Sequence, residues 1–575
     1  MIYSAIFHRP MSEYAHAYDE THYIFRVRTA PNDIQNCLFY FADRAAMTPN
    51  LSFSFLPMKK ERSDKYYDYY EVLLETNLQR IAYYFELDDG NEKIYYFGDC
   101  FSNTPIAERS EYFQLPFNLR ADRVVIPKWV KDAVVYNIFP DSFANGKRKM
   151  IPQKQSTEYN KEECKSLLGG TINGIRENLD YIQNLGCNCI YLNPFFAAQS
   201  YHKYDLLDYF HVDPTRGTDE DFRLLVNKAH EKNMHVIIDG VFNHVSWRHP
   251  FFKDVMEKGK GSKYYDFFYD LPERPVFPEN GKEPEYMCFA YVPEMPKTNT
   301  ADDRLRKYFC DVGTYWIKEF DVDGWRLDVA NELDDRFLRT FRDTVKSVKE
   351  DVLVIGEVWE NANHYINANM MDGAMNYDFR RFCRQFFAER KIDASQFDAR
   401  VTNMLLRYKK QALYAQLNLL DSHDVSRFMS VCNNDRNRYE MALLFQMAFI
   451  GMPCVFYGDE KGLCGESEKE YRRPMDFEKK DNLEEIYKKF IKLRQKYSCL
   501  REGKFETILA KGGFYGFKRY NDKEEISIFI NNSKSDLFIE VNGEILFKKN
   551  YTEKIIRENG YIIVLGGKCR LLFMN

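Results

Sequence analysis

The sequence has no apolar run of membrane-spanning length. A spanning helix needs about 20 consecutive apolar residues, so a helical membrane protein is excluded. An excess of one charge is missing as well. The 81 Lys and Arg face 86 Asp and Glu, giving a net charge of −5 with both signs mixed along the chain. No basic stripe calls for nucleic acid or anionic lipid. The 13 cysteines are odd in number and scattered, unlike a disulfide scaffold. Cys187 and Cys189 are spaced CxC in a strand-like run, which sends their side chains to opposite faces. Cys164, Cys288, Cys310, Cys454 and Cys464 lack ligand-like spacing, and no His/Asp cluster has metal-site spacing. Buried free thiols and no metal centre are therefore expected. The opening MIYSAIFHRPMSEYA breaks its apolar run early and has no basic segment before it, so no signal peptide is expected, and the expected location is the cytoplasm. Internal repeats and low-complexity stretches are absent.

Aromatic residues, in contrast, are abundant: 41 Tyr and 46 Phe help bring their share to 16%. They serve core packing and, where exposed, offer faces on which sugars stack. A chain of 575 residues predicts several domains. Residues 1–120 alternate as strands (THYIFRVRTA, NCLFYFADR, YYDYYEVLLE, RIAYYFELDD) between polar turns, a pattern that fits a β-sandwich. QLPFNLRADR reads as a linker. From about 121 to 488 strands and helices alternate. AVVYNIFP, CNCIYLNPFF, HVIIDGVF, GWRLDVA, VLVIGEVW, AMNYDF, LNLLDSHD and MPCVFYGDE are eight strand candidates, enough for a (β/α)₈ barrel. Residues 245–300 show no clear helix before RLRKYFCDVGTYWIKEF and read as a subdomain inserted after the third strand. Short alternating strands return over 489–575 and predict a second, C-terminal sandwich.

Several barrel strands end in ionisable or polar groups: Asp239, Asn243 and His244 close the third, Arg326 and Asp328 the fourth, Glu357 the fifth, and His423 and Asp424 the seventh. Polar groups gathered at the C-terminal ends of barrel strands mark an active site. Converging carboxylates without a metal cluster or a Cys nucleophile fit glycoside hydrolysis best. Arg326 and Asp328 are two apart on one strand and share a face. The guanidinium is expected to keep Asp328 ionised, as suits a nucleophile. Glu357 follows an apolar run and precedes Val358 and Trp359; partial desolvation there suits a general acid. Asp424, His244 and His423 are placed to bind sugar hydroxyls.

These motifs together resemble the α-amylase family of glycoside hydrolases, in its cyclomaltodextrinase, neopullulanase and maltogenic amylase group. DGVFNH (239–244), GWRLDVANE (324–332), GEVW (356–359) and LLDSHD (419–424) are similar to its four signatures. MPKTN (295–299), GMPCVFYGDE (451–460) and AIFHRPMSEYAHAYD (5–19) also look like segments of the group. The resemblance implies a retaining mechanism with Asp328 as nucleophile, Glu357 as acid/base and Asp424 as third carboxylate. It places Tyr204, Asp239, His244, Arg326 and His423 around the sugar at subsite −1, Trp359 on the acceptor side, and Arg472 with Glu468 near subsite −2. It implies hydrolysis of α-1,4 and α-1,6 linkages in cyclodextrins, maltooligosaccharides and pullulan, with some transglycosylation. A homodimer formed through the N-terminal domain is also implied, with no nucleic-acid or membrane partner. The alternatives are an enzyme dominated by glucosyl transfer and an inactive glucan-binding protein.

The chain departs from the group's pattern in places. Asn137 stands for a usual Gln, Thr298 for Leu, Glu360 for a His, Val425 and Ser426 for Thr-Glu, and Glu468 for Asp. No cofactor is required by this reading. The loop that holds structural calcium in many relatives is here FANGKRKMIPQKQST, basic and poor in the oxygen ligands calcium takes, so calcium there is expected to be lost or weak.

Overall fold

The computed structural model describes residues 1–146, 168–279, 282–366 and 369–571. Most of the loop singled out for calcium lies outside these residues. Met1–Val125 and Ile392–Leu413 form one compact unit; a second holds the barrel and the C-terminal strands.

In the first unit, a four-stranded sheet (Ala15–Ala17, His22–Thr29, Asp68–Glu75, Lys59–Ser63) faces a sheet built on Asn36–Asp43 and Ile81–Asp88. The alternation of apolar residues is what buries Tyr23, Phe25 and Val27 against Phe39, Tyr83 and Phe85. Phe25 and Phe39 stack at 4.3 Å. These aromatics are core. The segment read as a linker begins inside a strand: Phe113–Leu115 pairs with Ile81–Tyr83. The helix Ala394–Leu406 precedes the seventh barrel strand in the chain yet packs within this unit. Arg26 Nη1 donates to Leu406 O at 2.9 Å, and Gln411 Nε2 donates to Tyr18 O at 2.7 Å.

The barrel strands are, in chain order, Val135–Ile138, Cys189–Leu192, His235–Gly240, Gly324–Leu327, Leu353–Gly356, Gly373–Ala374, Leu417–Leu419 and Met452–Phe456. They form one parallel sheet in which the first pairs with the eighth and the eighth with the seventh. A parallel bridge from Met375 to Leu417 closes the ring. Val135, Cys189, Tyr191, Ile237, Leu353, Ile355, Leu417 and Cys454 fill the interior, so the barrel is a packed core. The described cysteines are free thiols, most of them buried. No described helix is long and apolar enough to cross a membrane.

Two local readings change. Of AMNYDF only Ala374 is strand, in Gly373–Ala374, because Asn376 accepts from Phe379 N and caps the helix Tyr377–Cys383. The insertion does contain a helix, Pro250–Lys258, with Pro at its start and the His249 side chain capping Phe251 N. Both are ordinary helix-start chemistry.

The C-terminal strands Lys504–Lys511, Phe514–Tyr520, Glu525–Asn531, Leu537–Thr552 and Ile555–Leu571 form one antiparallel sheet. Arg519 anchors it. This guanidinium is fully buried, and its acceptors are the carbonyls of Ala448, Leu500, Gly503 and Lys504. Arg519→Met would strand those carbonyls in the core. We expect it to lower stability by about 3 kcal/mol, read as a lower urea midpoint; an unchanged midpoint would refute the anchoring role.

Candidate active site

Sheet register places the polar groups. Asp239 pairs with Arg326 and Leu327 with Gly356, so Asp328 and Glu357 emerge side by side just past the strand ends. Asp328 N donates to Gly240 O at 3.0 Å and Glu357 N to Leu327 O at 2.8 Å. Gly356 is required before Glu357, since a Cβ there would meet Met371 Sδ at 2.2 Å.

Arg326 is the hub, fully buried. Its Nη1 donates to Asp239 Oδ1 at 2.8 Å and to Asp328 Oδ1 at 2.8 Å. Its Nη2 lies 2.8 Å from Glu357 Oε2 but off the N–H axis, an ion pair rather than an aligned hydrogen bond. Glu357 Oε2 also accepts from Val329 N at 3.1 Å, and Glu357 Oε1 from Trp359 Nε1 at 2.9 Å. Val329 has φ +44°, a strained value for a β-branched residue of the kind that gathers at functional sites. Trp359 stacks on Tyr377 at 4.0 Å while staying half exposed.

The network continues from Asp239, whose Oδ2 accepts from Tyr191 Oη at 2.8 Å and Tyr204 Oη at 3.2 Å. His423 Nδ1 accepts from Asn193 Nδ2 at 3.0 Å. The ring proton then sits on Nε2, which meets Tyr204 Oη and lies 3.0 Å from Asp424 Oδ2. Asn137 Nδ2 donates to Asn193 Oδ1 at 3.1 Å, so the residue that departs from the usual Gln orients the amide that orients His423. Arg472 Nε donates to His423 O at 2.7 Å, its Nη1 to Tyr201 Oη at 2.9 Å and to Glu468 Oε1, and its Nη2 pairs with Asp424. His244 is buried beneath Phe289, ring centroids 5.0 Å apart, with Nδ1 3.3 Å from Asn243 Nδ2. The structure thus brings Asp239, Arg326, Asp328, Glu357, Trp359, Tyr204, His423, Asp424, Arg472 and Glu468 into one polar network; His244 meets it only at the Tyr204 backbone. Tyr191, Asn193, Tyr201, Val329 and Tyr377 were not singled out from the sequence. Asn193 alone carried a signal, as a polar residue directly after a barrel strand.

Electrostatics corrects one expectation. Burial raises the Asp328 carboxyl well above its ordinary range; Arg326 opposes this, and Glu357 and Asp239 reinforce it. The guanidinium does not keep Asp328 at a low value, because burial outweighs its pull, and the same cation also serves Asp239 and Glu357. Asp424 is raised to about 7 by burial and by Glu357, against Arg472 and Arg326. Burial and the nearby arginines hold His423 well below its usual value, and burial beside Lys297 takes His244 to about 3. Both histidines are therefore neutral hydrogen-bonding groups at pH 7.

A carboxyl raised in the folded state stays protonated there at pH values where the unfolded chain has released its proton. The Asp424 contribution is most favourable below the unfolded value of 3.8 and is lost as pH rises toward 7. A quarter of this side chain meets solvent, which moderates the effect. We expect Asp424→Asn to flatten this slope and to melt above the wild type at pH 8, with little difference near pH 4. Thermal melts at both pH values check this, and an equal or lower melting temperature at pH 8 would contradict it.

Comparison with known proteins identifies the family. Residues 137–496 match the family described as Alpha amylase, catalytic domain, and residues 1–118 match Alpha amylase, N-terminal ig-like domain. The chain is 39% identical to a cyclomaltodextrinase of Geobacillus thermopakistaniensis over 92% of its length and 91% of that protein's. It is 37% identical to neopullulanase 2 of Thermoactinomyces vulgaris, with 92% and 91% covered. It is also 37% identical to the intracellular maltogenic amylase of Bacillus subtilis, with 100% and 99% covered. A solved cyclomaltodextrinase structure superposes with TM-score 0.88 at 31% identity, covering 99% of this chain and 98% of that one. The chain is a glycoside hydrolase and belongs to the α-amylase family, in the group of cyclomaltodextrinases, neopullulanases and maltogenic amylases.

Proposed function

We propose that this α-glucan hydrolase works by double displacement on α-1,4 linkages of cyclodextrins, maltooligosaccharides and pullulan, with α-1,6 cleavage and some transglycosylation. The supporting observation is that Asp328 Oδ1 and Glu357 Oε2 each lie 2.8 Å from a nitrogen of the same guanidinium. One fork holds both carboxyls toward one sugar. Asp328 attacks C1 as Glu357 delivers a proton to the leaving oxygen. A glycosyl ester forms on Asp328, and Glu357 then takes a proton from water as the water attacks C1. Burial raises the Asp328 and Asp424 carboxyls, so Asp328 must release any proton it holds before it attacks C1. Asp424 and His423 bind hydroxyls of the same sugar, Tyr204 stacks against it, and Asp239 and His244 complete its surroundings. Arg472 and Glu468 hold the next sugar.

Trp359 supports the transfer component. Its half-exposed indole beside Glu357 is a platform on which an acceptor sugar competes with water. The substrates follow the relatives' names, cyclomaltodextrinase and neopullulanase. One relative is named intracellular, in keeping with a cytoplasmic location. Exposed Phe55, Tyr66 and Leu73 on the N-terminal unit support a homodimer.

Asp328→Asn is expected to cut turnover of β-cyclodextrin by about 10⁴-fold or more while sugar affinity stays within a few-fold. Retained turnover would refute the nucleophile assignment. Glu357→Gln should lose about 10³-fold on maltotriose but much less on maltosyl fluoride, whose leaving group needs no proton. Equal losses on both would remove Glu357 as the acid. Sedimentation velocity should give twice the 68.5 kDa chain mass; a monomer at micromolar concentration would refute the dimer.

A further inference from the structure

Tyr204 reaches the rim from an unusual turn. Its predecessor Lys203 has φ +63°, a left-handed value rare for residues other than glycine. The Lys203 side chain is buried, with Nζ 2.8 Å from Asp213 Oδ2 and neither side chain more than 5% exposed. Asp213 is itself fixed, accepting from Ala198 N at 3.0 Å and Thr215 N at 2.9 Å. On the other side of Tyr204, Asp205 accepts from Ser200 N at 2.9 Å and Ser200 Oγ at 2.7 Å. An Ala198–Leu206 bridge closes the turn.

Burying an ammonium and a carboxylate costs desolvation that packed hydrocarbon avoids, so the pair is a poor device for stability alone. A left-handed lysine likewise persists only where its surroundings over-determine it. The turn delivers the Tyr204 ring, parallel to His423 within 8° and hydrogen-bonded to Asp239. It also delivers the Tyr201 hydroxyl to Arg472.

We propose that the Lys203–Asp213 ion pair is a positioning device that holds residue 203 left-handed, fixes Tyr204 against the first bound glucose, and acts on turnover through Tyr204. Lys203 touches no substrate in this arrangement. The inference rests on the reading of Tyr204 as a sugar-stacking residue.

The test is a double-mutant cycle on the full-length enzyme, with steady-state kinetics on β-cyclodextrin. Lys203→Met and Asp213→Asn are each expected to lower kcat by about 10- to 100-fold with KM little changed. Lys203→Gly lacks the ammonium but adopts the left-handed conformation freely, and should lose less than Lys203→Met. Lys203→Arg, which keeps the cation, should recover part of the loss. In a Tyr204→Ala background, Lys203→Met should cost no more than about twofold. Multiplicative losses in the double variant, or wild-type kcat in Lys203→Met, would overturn the proposal. If Lys203→Met does not fold, Asp213→Asn in the two backgrounds decides by the same criterion. Wild-type kcat in Tyr204→Ala, which removes the ring, would instead overturn the reading of Tyr204, and with it the basis of the proposal.

Discussion

One buried guanidinium organises this protein's active site. Arg326 reaches Asp239 on the neighbouring strand, Asp328 on its own and Glu357 on the next. Three acidic side chains at the end of a packed barrel would repel one another, and burial would penalise each charge. A single cation among them lowers that cost without cancelling it. Asp239 and Asp328 stay raised in affinity for protons, and all three carboxyls are held within reach of one another and fixed in direction. A planar fork suits this better than an ammonium because it reaches separate carboxylates from separate nitrogens.

The surrounding architecture serves that hub. Parallel register sets Asp239 opposite Arg326 and carries Asp328 and Glu357 out side by side. Gly356 leaves room for Met371 and Ala330, and the strained Val329 aims its N–H at Glu357. A second line of contacts, Asn137 to Asn193 to His423, sets the imidazole tautomer from beneath. Sites held this way resist reorganisation when charge develops on a substrate. They also carry residual repulsion that a more stable, inactive variant would relieve.

Much of this was legible in the sequence, because the barrel writes its plan locally. Each buried strand is a short apolar run, and each functional group follows such a run. The local signals failed where short polar residues decide. Asn376 turned AMNYDF from strand into helix start, and His249-Pro250 opened a helix inside the insertion. The supporting shell was harder to read. Tyr191, Tyr201 and Tyr377 look like any other aromatic residue of a Tyr-rich chain, and only folding brings them to Asp239, Arg472 and Trp359. The left-handed Lys203 leaves no trace in composition. The raised affinity of Asp328 for protons does not follow from the sequence, where its neighbour Arg326 is visible but burial and the competing Asp239 and Glu357 from other strands are not.

The central claim is that Asp328 and Glu357 act across a single sugar in two successive displacements. Proton NMR of the first product released from maltotriose tests it most directly. A newly formed reducing end that appears as the α-anomer and only later equilibrates is the expected result. Initial appearance of the β-anomer would mean that water attacks directly, and would contradict the account.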